Sequence, residues 1–573
     1  MTRCWVALVA SVLLSATAYA EETIWSAEGP QVRLLGPTLP APTQGLIAET
    51  LNGFLERSFG WTAPAGNGLN LTAVNLVVGN AKNNEVIASL AAKGLDVSTD
   101  ELGDEGFRIV SHERDGARLL IVLANTPAGL KFGCQELMYF RLGATPERVT
   151  VDWPLDVTMK PQVAYRGVYM LPIWSSYDSL DSWKRVLEFM SELTVNRVWF
   201  WLDGYPVAGH PASVHGIDYK LQDTVLANDA VVQGLIDLVN SEAMKFYIGG
   251  GWLSWHHFET VGKDQEKARQ YYFDYLKAFK GVGGFYFEPT GEGTELADWL
   301  PGDSLQKMIV DLMEQDPEFE VAVAIGAFNN ADYLKVMATL DPKRAFWWWC
   351  WGDPLEDKAT EKYPSVLGWH TTAQMSAFHG RSAPPAAKDL ALAGMATSFD
   401  PGMGYGNPWN GWAKMGVYEP RDFDPYTMPY FSHEYKFRER CWNVEQTDEE
   451  FAARMARRLF DADVPAEAIG HYLTLAAFCP DPVAADAAAV DAIGAFVSAQ
   501  AGRGTPRNQD TLGRMAEAVE GIRAMKAAAA AAPTEVAEPA PEEGGAMTPA
   551  EAEALAKKEA EAKAKAESEA KAE

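Results

Sequence analysis

The sequence predicts a mixed α/β protein built around a (β/α)8 TIM barrel, with a small α/β domain before the barrel and a helical domain after it. Two observations predict the barrel. From Tyr165 onward, short apolar runs ending in Trp, Asp, Gly or His alternate with amphipathic stretches. Eight such runs fit within about 240 residues, the size of an eight-stranded parallel barrel with a helix after each strand. A third observation, the length of 573 residues, leaves room for flanking domains.

The eight strand candidates are, in order, "YRGVYMLPIW", "RVWFWLDGYP", "KFYIGGGWLSW", "GFYFEP", "EVAVAIGAFN", "RAFWWWCWGDP", "SVLGWHTTAQ" and "GMATSFDPG". Helices are expected at "SLDSWKRVLEFMSELTV", "NDAVVQGLIDLVNSEAM" and "QEKARQYYFDYLKAF", where apolar residues recur at spacings of three and four. The sixth and seventh connections, "LEDKATEKYP" and "MSAFHGRSAPPAAKDLALA", carry only short or interrupted helical patterns. A doubly wound open sheet is the structural alternative. Barrel residues are thus expected over 161–420.

Before the barrel, residues 21–160 alternate strand-like runs, "LTAVNLVVG" and "ARLLIVLAN", with helical patterns, "NEVIASLAAKG" and "AGLKFGCQELMYFRL", which suggests a small α/β domain. After it, residues 421–525 read as helical, with "DEEFAARMARRLFDA" and "PAEAIGHYLTLAAF" as the clearest segments. Residues 526–573 are almost only Ala, Glu, Lys and Pro. They lack an apolar stripe, so a solvated or disordered tail is expected, with no chemistry assigned to it.

Hydrophobic residues make up 47% and charged residues 22% of the chain, an ordinary globular balance. The formal net charge of −29 repels nucleic-acid phosphates and anionic lipid headgroups, so neither is an expected partner. The opening "MTRCWVALVASVLLSATAYA" has an early Arg, a short apolar run and an Ala-Tyr-Ala ending. This reads as a signal peptide (residues 1–20) cut after Ala20, which makes the mature protein secreted or periplasmic. The run is too short to span a membrane comfortably. Cys134, Cys350, Cys441 and Cys479 would remain, far apart and without a C-x-x-C pair, so no zinc ribbon or thioredoxin-type site is signalled.

Barrel enzymes of this architecture carry their reactive groups at the carboxyl ends of the strands. The richest such end is "GGFYFEPTGEGTELADW", residues 283–299. Alternation in "GFYFEP" puts Phe285 and Phe287 on one face and Tyr286 and Glu288 on the other, with Pro289 ending the strand. Glu292 follows between Gly291 and Gly293, where a loop backbone can turn tightly beside a ligand. A carboxylate that gives or takes a proton needs partial burial, which raises its pKa toward neutral. Glu295 begins the next helix and is the weakest candidate. For the second carboxylate of a glycosidic hydrolysis, Asp353 follows "WWWCWG", Asp203 follows "WFWL" and Asp400 follows "ATSF"; Asp353 is preferred.

Of 19 Trp, 14 fall between residues 161 and 412, and Trp174, Trp199, Trp201, Trp252, Trp255, Trp349, Trp351 and Trp369 lie near strand ends. Aromatic faces suit the C–H faces of pyranose rings, and flanking Asp and His suit their hydroxyls. Half or more of these rings are expected in the barrel wall, since alternation sends every second one there. Trp174, Trp201, Asp203, Trp252, His256, Trp351, His370 and Asp400 are the substrate-binding candidates. The nine histidines show no ligand spacing. There is no G-x-S-x-G elbow, and "GGGW" lacks the spacing and Lys of a phosphate loop, so no metal or other cofactor is expected.

These motifs resemble those of glycoside hydrolases of the hexosaminidase (family 20) and α-glucuronidase (family 67) type. "DEGFRIVSHERDGARLLIVLANTPAGLKFGCQELMYFRL" looks like the small α/β domain that precedes their barrels, and "KPQVAYRGVYM" is similar to the "P-x-x-x-x-R-G" first barrel strand of family 20. "HEYKFRERCWN" resembles the helical extension of the α-glucuronidases. Hexosaminidases place adjacent Asp and Glu after the fourth strand, whereas the loop here reads "EPTGEG". Substrate-assisted cleavage of N-acetylhexosamines is therefore not carried over. The "GEG" around Glu292 looks closer to the fourth-strand "GE" of α-glucuronidases, which implies Glu292 as general acid. The expectation is an exported glycoside hydrolase with Glu292 as acid and Glu288 or Asp353 as its partner. The alternative is a non-catalytic carbohydrate-binding protein on a glycosidase-like barrel.

Overall fold

The computed structural model of the chain describes residues 20–26, 29–30, 32–35, 51–66, 69–170, 180–201, 229–250, 276–287, 302–325, 339–349, 366–371, 394–399, 429, 432–478 and 481–531. Among the described residues, nine strands precede the barrel. β1 (Ala20–Ser26), β2 (Gly29–Pro30), β7 (Leu142–Thr145) and β8 (Arg148–Trp153) form a sheet in the order β2-β1-β8-β7. β3 (Val32–Leu35), β4 (Val74–Gly79), β5 (Phe107–Arg114), β6 (Ala117–Ala124) and β9 (Asp156–Met159) form a second in the order β3-β4-β6-β5-β9. The β5–β6 hairpin turns at Asp115 and Gly116, both at positive φ, the backbone that a two-residue Asp-Gly turn supplies without strain. Alternation on β6 covers both faces of the sheet. Leu120, Val122 and Ala124 join the core beneath the helix Pro127–Phe140, while Leu119, Ile121 and Leu123 pack with Ile87 and Leu90 of the helix Glu85–Ala92.

The barrel strands are β10 (Tyr165–Met170), β11 (Arg197–Trp201), β12 (Lys245–Gly250), β13 (Val282–Phe287), β14 (Glu320–Ile325), β15 (Ala345–Trp349), β16 (Val366–Thr371) and β17 (Gly394–Phe399). Each pairs in parallel with the next, and β17 pairs with β10, so the ring is closed. All eight strand segments expected from the apolar runs are present. Helices Leu180–Glu192, Asp229–Ser241 and Gly302–Gln315 follow the first, second and fourth strands, and residues 276–278 are helical before β13. The sixth and seventh connections lie outside the described residues.

Two glycines make room inside the ring. A Cβ at Gly284 would stand 2.9 Å from the Tyr247 ring and 2.5 Å from the Glu320 carbonyl oxygen, and one at Gly394 would stand 2.2 Å from the Tyr165 Cβ. Both are contacts that real side chains do not make.

Helices Ser432–Trp442, Asp448–Leu459, Glu467–Phe478, Ala487–Gln500 and Pro506–Ala531 follow. The second starts with a Thr447/Glu450 capping box, in which side chain and backbone satisfy each other's orphan groups. The last runs to Ala531, where Ala and Lys are strong helix formers. Tyr435, Phe451, Met455, Tyr472 and Ile522 share one core with the barrel's outer face, whereas Phe437, Cys441 and Trp442 belong to the core of the amino-terminal sheets. Cys134 and Cys441 are buried free thiols; Cys350 and Cys479 lie outside the described residues.

Buried charge ties the barrel to what flanks it. Arg166, the Arg of "YRG", is fully buried and donates to the Glu105 carboxylate at 2.9 Å and to the carbonyls of Thr194, Val163 and Ala164 at 2.6, 2.9 and 3.1 Å. Asn196 donates to the other Glu105 oxygen at 2.9 Å. Lys131 pairs with Glu242. These contacts seat the foot of the first two barrel strands on the amino-terminal domain.

Candidate active site

Inside the ring the side chains stack in layers. The lowest layer comes from the first residues of three strands. The Glu320 carboxylate accepts from Arg197 Nε and Nη2 at 3.1 and 3.0 Å, from Lys245 Nζ at 2.6 Å, and from the Tyr247 hydroxyl. Burial acts to raise the Glu320 pKa, but Arg197 and Lys245 outweigh it, and the net shift is downward. The Arg197 guanidinium lies 4.6 Å from the centroid of the Tyr165 ring, a cation–π contact. Burial holds the Tyr165 and Tyr247 hydroxyls protonated by pushing their pKa values up.

The next layer is aromatic. Trp199 donates its indole N–H to the Tyr165 hydroxyl at 2.9 Å, which satisfies the one polar atom the ring buries. Its ring stacks on Tyr286 with centroids 4.9 Å apart and planes 9° from parallel, and meets Trp348 edge-on at 5.1 Å. Tyr286 and Trp348 are 5.9 Å apart. None of the three is more than 2% exposed, so at this level the barrel is a packed core. This layer therefore has no room for a ligand.

The predicted residues follow the barrel strands in the sequence. Glu288 directly follows β13 and Glu292 lies in the loop after it; Asp353 and Trp351 follow β15, Asp203 follows β11, Trp252 and His256 follow β12, Trp174 follows β10 and Asp400 follows β17. All of these lie outside the described residues. Trp201 is the last residue of β11, paired with Gly249, and His370 lies in β16, paired with Thr397. The expected alternation on β13 holds where it is described, with Phe285 in the helix-facing core and Tyr286 in the interior.

Trp199 is not at the rim. It is the middle residue of β11, fully buried, and the alternation that sets Val198 and Phe200 against the helices was the signal that could have said so. The same rule splits "WWW", with Trp347 in the helix-facing core and Trp348 inward. Sequence reasoning also missed Glu320, which reads as the start of an ordinary strand. Among the described residues, no group of three His, Cys, Asp or Glu is placed to hold a metal ion, and no helix is long and apolar enough to cross a membrane.

No family model matches the chain, and no curated protein matches it. Solved structures do. A point mutant of the Streptomyces plicatus β-hexosaminidase in complex with its product GlcNAc aligns over 77% of this chain and 91% of its own, at 12% identity and a TM-score of 0.51. The GH20 β-N-acetylhexosaminidase of Streptomyces coelicolor A3(2) aligns over 77% and 93%, at 13% identity and a TM-score of 0.50. An inactive mutant of the GH20 exo-β-N-acetylglucosaminidase of Vibrio harveyi aligns over 77% and 75%, at 11% identity and a TM-score of 0.51. The chain has the fold of these glycoside hydrolases, as the family 20 resemblance in its sequence implied.

Proposed function

We propose that the chain is an exported glycoside hydrolase that cleaves a glycan or polysaccharide at the carboxyl rim of a (β/α)8 barrel, with Glu292 as general acid and Glu288 or Asp353 as its partner. One observation carries the reading: the ring is closed and filled by Trp199, Tyr286 and Trp348, so no ligand fits at that level, and it is after the carboxyl ends of the strands that the sequence gathers its carboxylates and Trp residues. The likeness in fold to GH20 enzymes supports it.

In this mechanism Glu292 protonates the leaving-group oxygen while the second carboxylate either activates water or attacks the anomeric carbon. Carboxyls about 5 Å apart correspond to retention, and about 6.5 to 9.5 Å to inversion. The loop "EPTGEG" lacks an adjacent Asp-Glu pair, which directs the reading toward a sugar other than an N-acetylhexosamine that assists its own cleavage.

The test is hydrolysis of a panel of aryl glycosides, hexosaminides and glucuronides included, by the mature protein and by Glu288→Gln and Glu292→Gln. Loss in one variant names the acid or its partner together with the sugar. Silence across the panel, with sugars still raising the thermal midpoint, would replace the reading with a carbohydrate-binding protein.

A further inference from the structure

Two barrel helices end on residues that their backbone disfavours. After the helix Leu180–Glu192, Thr194 has a φ of 57°; its N–H donates to the Ser191 carbonyl at 3.0 Å, and that of Val195 to the Met190 carbonyl at 3.1 Å. After the helix Asp229–Ser241, Ala243 has a φ of 60°, with the equivalent bonds from Ala243 to Asn240 at 3.0 Å and from Met244 to Val239 at 3.2 Å. In this ending a left-handed residue closes the helix, and glycine is the usual occupant because a Cβ is strained there. Thr194 is β-branched and fully buried, which makes it the costlier of the two.

What Thr194 has and glycine lacks is a hydroxyl. Its Oγ accepts the indole N–H of Trp442 at 2.9 Å, and its carbonyl accepts from Arg166 Nε of β10 at 2.6 Å. Trp442 ends the helix Ser432–Trp442 and is buried against Phe107 and Phe132 of the amino-terminal domain. A strained residue persists where its surroundings hold it from several sides, and Thr194 is held from β10 and from the carboxyl-terminal helices. That helix has further ties, from Gln162 and Val163 N–H to the Cys441 carbonyl at 2.9 and 3.0 Å and from Arg438 to the Glu192 carbonyl at 3.2 Å, none of which requires a left-handed backbone. We propose that Thr194 is a strained latch between the first βα unit of the barrel and the helix Ser432–Trp442. The latch has two states: with the Trp442 N–H seated on the hydroxyl, threonine is the better residue at this position, and with that N–H withdrawn, glycine is.

The test is a thermodynamic cycle between Thr194→Gly and Trp442→Phe, the second of which keeps a ring against Phe107 and Phe132 and removes the N–H. Thr194→Gly is expected to lower the thermal midpoint of the wild type, because a buried donor left without its acceptor outweighs the relief of strain. The same substitution is expected to raise the midpoint of Trp442→Phe, where the relief alone remains. Ala243→Gly reads the strain by itself and should raise the midpoint. Hydrogen exchange of the segment 436–444 is followed alongside. It should be about tenfold faster in Thr194→Gly, and unchanged in Ala243→Gly and in Thr194→Ser, which keeps the hydroxyl.

A Thr194→Gly that raises the midpoint in both backgrounds would overturn the proposal by leaving the hydroxyl without a role. One that lowers it in both, or an Ala243→Gly that lowers it, would overturn it by leaving the left-handed backbone without strain. Should Trp442→Phe fail to fold, Thr194→Ser and Thr194→Gly decide in the wild-type background: a higher midpoint for Ser supports the latch, and Gly at or above Ser removes it.

Discussion

Arg454 and Glu136, separated by 318 residues in the chain, form a bidentate pair: the guanidinium donates from Nη1 at 2.9 Å and from Nη2 at 2.7 Å to the two carboxylate oxygens. Glu136 is fully buried in the helix Pro127–Phe140, and Arg141 donates to it as well, at 2.9 Å from Nε and 2.7 Å from Nη2. Arg454 also donates to Glu439, which accepts from Arg438 and from Gln446. The guanidiniums of Arg454 and Arg438 lie 4.1 and 4.7 Å from the centroid of the Phe140 ring. This cluster joins the amino-terminal sheets to the carboxyl-terminal helices. Removing one partner leaves a buried charge, so Arg454→Met is expected to destabilise by about 3–5 kcal/mol. Chemical denaturation of Arg454→Met, Glu136→Gln and the double variant checks it, with the double expected to lose less than the sum.

The same cluster sets the acid limit of the fold. Burial acts to raise the Glu136 and Glu439 pKa values, but the surrounding arginines win: Glu136 ends well below the usual carboxylate range and Glu439 is lowered too. Groups depressed in the folded state contribute stability that is complete above their unfolded value of about 4.3 and is lost as pH falls below it. The denaturation midpoint should therefore be flat with respect to these groups from neutral pH down to about 5, and fall on further acidification. Glu136→Gln should flatten that acid limb, and a limb of unchanged steepness would assign it to other carboxylates.

Much of this fold was legible in the sequence because apolar periodicity is local. The runs "RVWFW" and "KFYIGG" announce barrel strands whatever lies elsewhere in the chain. What stayed hidden was pairing at a distance. Nothing near Glu136 points to Arg454, nothing in "YRG" tells that Arg166 reaches Glu105, and β1 is a strand only because β8 lies beside it. For the candidate site, the sequence located the barrel strands after which its carboxylates follow. Alternation sends Trp199 inward, but Trp201 of the same run shares that phase, so the pattern alone does not say which level of the ring is filled.

The two thiols at the junction should be silent in the native protein. Burial pushes both Cys134 and Cys441 up to about 12, which leaves a negligible thiolate fraction at pH 8, and the thiolate is the reactive species. Iodoacetamide labelling at pH 8, read by peptide mass spectrometry, is expected to leave both unmodified in the native protein and to modify both in denaturant. Labelling of either before unfolding would mean that the junction opens in the native state.

Two glycine substitutions should act in opposite directions, and together they test the packing inside the ring. At Gly284 an added methyl meets the Glu320 carbonyl oxygen at 2.5 Å and the Tyr247 ring at 2.9 Å. Tyr247 is itself held by Glu320 and cannot swing aside without breaking the ion cluster. Gly284→Ala is therefore expected to destabilise by about 1–3 kcal/mol or more, the range for overpacking a filled core. Gly470, in the helix Glu467–Phe478, has nothing within 4 Å of a built Cβ, so Gly470→Ala removes only backbone freedom from the unfolded chain and should stabilise by about 0.5–1 kcal/mol. Urea denaturation of the two variants measures both signs. A neutral Gly284→Ala would mean that the Tyr247 ring is not locked by its hydrogen bond to Glu320.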